Sequence, residues 1–328
     1  MTAETVPPIP AGSLPIAARA PGKCILFGEH AVVHGAPELV FAIDLETQVY
    51  VRPAPATRLN GDEGAAARNA YFGRALGSLW ANGPPIEVRA VSRIPRAAGL
   101  GSSAAFVAAL AAALGSATGG IDRPTLARRS FEVERGAQGV GSPGDTTAVV
   151  GGGFLAVNGG SGDPLWTVED GERRWEVRRV SDPGWNWVVA YTGIPRSTAD
   201  AVRAVGERLA QPDGPTLLAE FRRVAEEGIS AVERADRARV ATLLRRNQEL
   251  LREVGVSHPR IEELLRAAEP VAEGAKLTGA GAGGSIVALP IPGRETELVR
   301  RLARAGGLPF VVRPAAEGAG LAPIPPAS

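Results

Sequence analysis

Two lysines survive in a chain that otherwise uses arginine for its positive charge. Of 36 basic residues only Lys23 and Lys276 are lysine, and both stand beside glycines, in Pro21-Gly-Lys and in Lys276-Leu-Thr-Gly-Ala-Gly-Ala-Gly-Gly284. An ammonium is a compact point charge and a guanidinium a broad planar fork, so a lysine that resists replacement marks a tight site for an anion. Between them lies a third glycine-rich stretch, Ala97-Ala-Gly-Leu-Gly-Ser-Ser103, which opens onto an apolar run where Phe106, Leu110 and Leu114 recur at helical spacing. The first N–H groups of a helix lack intrahelical partners and lie at the positive end of its dipole. A glycine turn feeding such a terminus therefore suits a phosphate, and Ser102 and Ser103 add two hydroxyls. The stretch matches neither the Walker pattern nor the Gly-x-Gly-x-x-Gly of dinucleotide folds. The plainer alternative is a helix capped by serine, a preferred N-cap residue.

Carboxylates and an imidazole complete the set of groups able to move a proton or hold a cation. Lys23, Glu29 and His30 crowd the two ends of a short apolar run, Cys24 to Phe27, that suits a buried strand. A surface salt bridge beside a half-exposed histidine is the bland reading of these three. Glu134 falls on a helix, and Asp145 follows in Gly139-Val-Gly-Ser-Pro-Gly-Asp-Thr-Thr147, a loop dense in Gly, Ser and Pro. Aspartate in such a loop is as readily a turn-former as an acid-base group, because its side chain bonds its own backbone.

The elements that must position these groups alternate strand and helix. Strands are expected at Cys24 to Phe27, as a pair across Leu39 to Pro53, and at Ile86 to Val91. A helix follows the serine loop, and another starts at Asp122 with Pro124 in its first turn. Trp-bearing strands span Leu165 to Arg179, and Trp187 to Tyr191 is a buried strand. Four amphipathic helices then run from Ala199 to Glu269, followed by strand, helix and strand from Ser285 to Arg313. At 328 residues, with a prior of about 150 per domain, two domains are expected. We place a loose tail at residues 1–17, domains at 18–186 and 187–315, and a loose Pro/Ala/Gly-rich tail at 316–328.

Composition removes several classes of function. A net charge of +1 provides no field for nucleic acid or an anionic membrane. The single cysteine, Cys24, permits neither an internal disulfide nor a cysteine metal cluster and fits a reducing cytoplasm. The longest apolar run, Ala104 to Leu114, falls short of the ~20 residues needed to span a bilayer, and no signal peptide is expected.

Taken in order, Pro21-Gly-Lys-Cys-Ile-Leu-Phe-Gly-Glu-His30, Gly99-Leu-Gly-Ser-Ser-Ala-Ala105 and the Lys276 to Gly284 stretch resemble the three signature motifs of the GHMP small-molecule kinases. Within that superfamily Glu29-His-Ala-Val-Val-His-Gly35, the Gln138 to Thr146 loop and Gly255-Val-Ser-His-Pro259 are similar to archaeal mevalonate kinases. The resemblance implies an α/β (α+β) two-domain fold, its N-terminal domain like ribosomal protein S5 domain 2 and its C-terminal domain ferredoxin-like. It implies ATP and Mg²⁺, and mevalonate as the small-molecule acceptor in isoprenoid precursor synthesis. Ala97, Ala98, Gly99, Leu100, Gly101, Ser102 and Ser103 would cradle the ATP phosphates, with Lys276, Gly279 and Gly281 closing on them. Ser103 and Glu134 would hold Mg²⁺; Asp145 would take or orient the acceptor's hydroxyl proton, with Lys23 beside it. Glu29, His30, Arg196 and Thr198 would bind the acceptor, and a homodimer is the expected assembly. Two departures from the resemblance stand out: the archaeal pattern usually has a larger residue than Gly144 and glycine where this chain has Ala282. The rivals are phosphomevalonate or homoserine kinase activity, a non-catalytic ligand sensor, and a diphosphomevalonate decarboxylase, which lacks the first motif.

Overall fold

The computed structural model describes residues 14–139, 141–195 and 198–324. Twelve strands form two sheets. Strands β1 (Ile16–Phe27), β2 (Glu38–Pro53), β3 (Arg58–Leu59), β4 (Ile86–Ser92), β5 (Phe154–Val157), β6 (Trp166–Asp170) and β7 (Arg173–Val180) belong to the first. The chain then enters a second sheet of β8 (Trp187–Tyr191), β9 (Ala272–Thr278), β10 (Ser285–Pro290) and β11 (Leu308–Val312), before β12 (Gly320–Ala322) returns to the first. The helices are α1 (Ala65–Arg68), α2 (Ala70–Leu79), α3 (Ser102–Ala117), α4 (Arg123–Gln138), α5 (Gly144–Gly151), α6 (Thr198–Leu209), α7 (Gly214–Glu233), α8 (Arg237–Glu253), α9 (Pro259–Ala268) and α10 (Glu295–Arg304). None of them is long and apolar enough to cross a membrane.

The first sheet is organised around β2, which is one strand of 16 residues where a pair was expected. No turn-forming residue interrupts it; instead its partner changes along its length. Glu38 to Phe41 pair with β5, and Thr47 to Pro53 pair with β4, while β1 runs along the other edge. The gap between those partners is closed by the chain near Arg313, whose N–H donates to Asp44 Oδ1 at 3.0 Å. Helix α3 covers this sheet and is buried on nearly every side from Ala104 to Leu114, which explains an alanine-rich sequence without a polar face. Small side chains let β1, β2, α4 and α5 approach its backbone closely.

The second sheet has the order β11-β8-β10-β9, all antiparallel, with α8, α9 and α10 packed on it. Numbered within the unit this is 4-1-3-2, the order of a ferredoxin-like fold. The sheets meet where β9 lies against β1. Thr278 Oγ1 accepts from Ile25 N–H at 2.8 Å and donates to Ile25 C=O at 3.1 Å. The tail expected from residue 316 is corrected by β12, which pairs with Ala17 to Arg19, and Ala319 N–H donates to Val149 C=O at 2.7 Å. Backbone hydrogen bonds hold this segment although its large apolar residues, Leu321 and Ile324, are exposed.

Candidate active site

Lys23 and Asp145 form the centre of the site. Lys23 lies on β1 with its side chain 1% exposed, and its Nζ is 2.6 Å from Asp145 Oδ1. Asp145 is in the first turn of α5 and not in an open loop as the glycine and proline content suggested. Pro143 and Gly144 start that helix, so the carboxylate sits at the positive end of its dipole. Lys23 is held from below by the serine loop: its N–H donates to Leu100 C=O at 2.9 Å. Gly101 has φ +78°, and a Cβ there would fall 2.7 Å from Lys23 Cγ. Only glycine combines that left-handed backbone with so close an approach.

Two cavities meet at Asp145, which lines both. The first is bounded by Lys23, Glu29, His30, Glu38, Glu134, Gln138, Asp145, Val202 and Gly279. The second runs along Ala97, Ala98, Gly99, Gly101, Ser102 and Ser103 to Thr47, Asn60, Asn69, Tyr71 and Arg96. Ser102 starts α3, so the N-terminal N–H groups of that helix face the second cavity, as a phosphate cradle requires. Ala97 is held at φ +55°, a strained position for a residue with a Cβ, and Ser285 Oγ donates to Ala98 C=O at 2.8 Å, fixing the loop from the second sheet.

Behind the loop, Ser103 Oγ donates to Glu134 Oε2 at 3.4 Å, and Gln138 Nε2 donates to the same oxygen at 2.7 Å. Glu134 Oε1 is buried without a hydrogen-bond partner among the described residues. Burial, together with the Asp145 carboxylate, raises the Glu134 carboxyl to about 8. A cation beside this carboxyl would favour its ionised form. One carboxylate and one hydroxyl beside a phosphate cradle are the donor set that suits Mg²⁺, which keeps waters and shares phosphate oxygens. Among the described residues no group of three or more His, Cys, Asp or Glu side chains forms a self-sufficient metal cage.

Several expected residues are placed elsewhere. Lys276 does not reach the phosphate cavity: it lies within β9, fully buried, with its ammonium on Glu29. Strand β9 extends to Thr278, so the glycine loop starts after the lysine rather than around it. Burial pushes the Glu29 carboxyl up and the Lys276 ammonium down, and their contact opposes both. Glu29 also accepts from Asn247 Nδ2, so its charge is engaged although it lines the first cavity. Leu100 is buried and contributes its carbonyl, while Gly281 packs against Val256 C=O and lines neither cavity. His30, at φ +66°, donates from Nε2 to Ala280 C=O at 3.0 Å. Arg196 lies outside the described residues, as does the side chain of Thr198, the first residue of α6. Cys24 is no nucleophile, since burial pushes its thiol up to about 12.

Sequence reasoning missed Glu38, Tyr71 and Gln138. Tyr71 lines the second cavity with Ser103 and Gln138, and Gln138 lines both cavities. Glu38 opens β2 ahead of the apolar run Leu39 to Ile43, in a strand that carries further charged residues at Asp44, Glu46 and Arg52.

Comparison with known proteins agrees with this arrangement. Residues 65–153 match the GHMP kinases N-terminal domain and residues 228–307 the GHMP kinases C-terminal domain. A mevalonate kinase from Archaeoglobus fulgidus is 34% identical over 83% of this chain and 91% of its own length. The chain belongs to the mevalonate kinase family of the GHMP kinases. A second member, from Pyrococcus horikoshii, is 31% identical over 92% of this chain and 96% of its own. Among solved structures, the L. major mevalonate kinase in complex with R-mevalonate superposes with a TM-score of 0.77 at 24% identity, covering 96% of this chain and 100% of that one. The two-sheet fold is thus that of a GHMP kinase, a family whose members take ATP as phosphoryl donor.

Proposed function

We infer that this chain transfers the γ-phosphoryl group of ATP to the primary hydroxyl of (R)-mevalonate, giving mevalonate 5-phosphate. The observation that carries this reading is the Lys23–Asp145 pair at 2.6 Å, at the point where the two cavities meet. Phosphoryl transfer demands that donor and acceptor be held in line and that charge on the oxygens be neutralised. The α3 N-terminus and residues 97–103 hold the phosphates in the second cavity, and the acceptor alcohol enters the first. Asp145 then accepts or orients the hydroxyl proton, and the Lys23 ammonium stabilises charge on the group in transfer.

Ser103 and Glu134 are the side chains that would hold Mg²⁺, and the unpartnered Glu134 Oε1 supports that role. Bound there, the ion supplies neutralisation of phosphate charge. His30 shapes the first cavity, and Arg196, next to the start of α6, would grip the carboxylate of mevalonate in bidentate fashion, with Thr198 nearby.

The test is a panel of alcohols with Mg-ATP, with products read by phosphorus NMR. Mevalonate is expected to have the highest kcat/KM, above mevalonate 5-phosphate and homoserine. Asp145→Asn should bind ATP as before with kcat lower by at least about a hundredfold. Preference for another alcohol would overturn the substrate, and near-normal turnover of Asp145→Asn would remove that residue from the chemistry.

A further inference from the structure

The first cavity contains a carboxyl that the chemistry above leaves unused. Glu38 opens β2, is 1% exposed, and lines the cavity beside Lys23, Glu29 and Asp145. Its Oε2 is buried and has no hydrogen-bond partner among the described residues. Leaving such an oxygen unpaired is destabilising, so its presence calls for a reason beyond the fold. The space it occupies is made by Gly144. A Cβ on Gly144 would fall 1.9 Å from Glu38 Oε2 and 2.8 Å from its Cδ. Gly144 is helical and its φ is not positive, so its backbone does not require glycine; the neighbouring carboxyl does.

The charged groups around Glu38 are Asp145, Lys23, Glu29 and Lys276. Burial first, and then the Asp145 carboxylate, push the Glu38 carboxyl well above the usual range. We propose that Glu38 is an acceptor-binding residue that hydrogen-bonds the tertiary hydroxyl of mevalonate, in a space kept open by Gly144. The inference rests on the substrate reading above. Mevalonate offers three polar groups, of which the primary hydroxyl belongs at Asp145 and Lys23. Its carboxylate is disfavoured among Glu38, Glu29 and Asp145. The tertiary hydroxyl stands in a 1,3 relation to the primary one, so one diol spans two neighbouring carboxyls.

The test uses the full chain and steady-state kinetics, with 5-hydroxy-3-methylpentanoate as an acceptor that lacks the tertiary hydroxyl. Glu38→Ala should raise KM for mevalonate at least about tenfold with KM for ATP unmoved, while Tm stays level or rises as the unpartnered oxygen is removed. Glu38→Gln, whose amide both donates and accepts, should restore most of that affinity. Gly144→Ala should also raise KM, and its effect should vanish in the Glu38→Ala background. Wild type should disfavour the deoxy acceptor at least about tenfold, and Glu38→Ala should not. An unchanged KM in Glu38→Ala overturns the proposal, as does a Gly144→Ala effect that persists in the double variant. Should Glu38→Ala not fold, a wild type indifferent to the missing hydroxyl overturns it equally. A wild type inert on mevalonate but active on another alcohol defeats the substrate reading as well, whereas full activity on mevalonate with an indifferent Glu38→Ala defeats this inference alone.

Discussion

At the scale of single residues, Lys23 shows what an ammonium can do that a guanidinium cannot. Its stem is pressed against Gly101, its head lies 2.6 Å from Asp145, and it is 1% exposed. A guanidinium is wider, and the surplus would intrude on the first cavity, where the acceptor is to lie. Lys23→Arg should therefore lose at least about a hundredfold in kcat despite its conserved charge, measured beside circular dichroism to confirm folding. Activity within a few-fold of wild type would show that charge alone suffices. Rarity of lysine pointed to both lysines, but it could not separate their tasks. The partner of Lys276 is Glu29, 247 positions away, and only the fold shows that this ammonium balances a buried carboxylate. Glu38 escaped notice for a related reason. One carboxylate at a strand edge is ordinary in sequence and becomes meaningful only when Gly144 is found against it.

Elements were more legible than residues where periodicity was strong. Each expected helix from Ala199 to Glu269 is present within a few positions, because amphipathic spacing reports a buried face directly. Two kinds of element were misread. Strand β2 changes partners without a turn, so nothing local marks the switch. Asp145 sits on a helix because Gly144 and Pro143, which read as loop residues, occupy the start of α5 where both are tolerated. Ala282 takes φ +56° in the β9–β10 connection, a left-handed conformation uncommon for a residue with a Cβ. That connection is registered against β1 by Thr278. Thr278→Val keeps the shape but leaves the buried N–H and C=O of Ile25 without their side-chain partner. The expected cost is about 1–3 kcal/mol in chemical denaturation, with kcat falling as the sheets lose register. A stability equal to wild type would show that the two strands stay aligned without it.

For the molecule as a whole, residues 313–322 matter more than their composition suggests. They close the gap on β2 at Asp44, salt-bridge Glu317 to Arg19, and pair with the start of β1. Ala319 N–H also reaches Val149 on α5, the helix that bears Asp145. Removing residues 316–328 should lower Tm by at least about 5 °C in calorimetry, since an edge of the first sheet and a support of α5 are lost together. An unchanged Tm would reduce this segment to decoration.

The pairing of Ala17 with Ala322 also bears on how the chain is made. A ribosome adding ~5–20 residues per second needs roughly 15–60 s to travel between those partners. Throughout that interval Ile16 to Arg19 present an open strand edge to the cell. The first sheet is therefore begun early in translation and sealed late, so a stall or nonsense codon after β11 would release a chain whose catalytic motifs are all present but whose β1 edge is still free to pair with another chain.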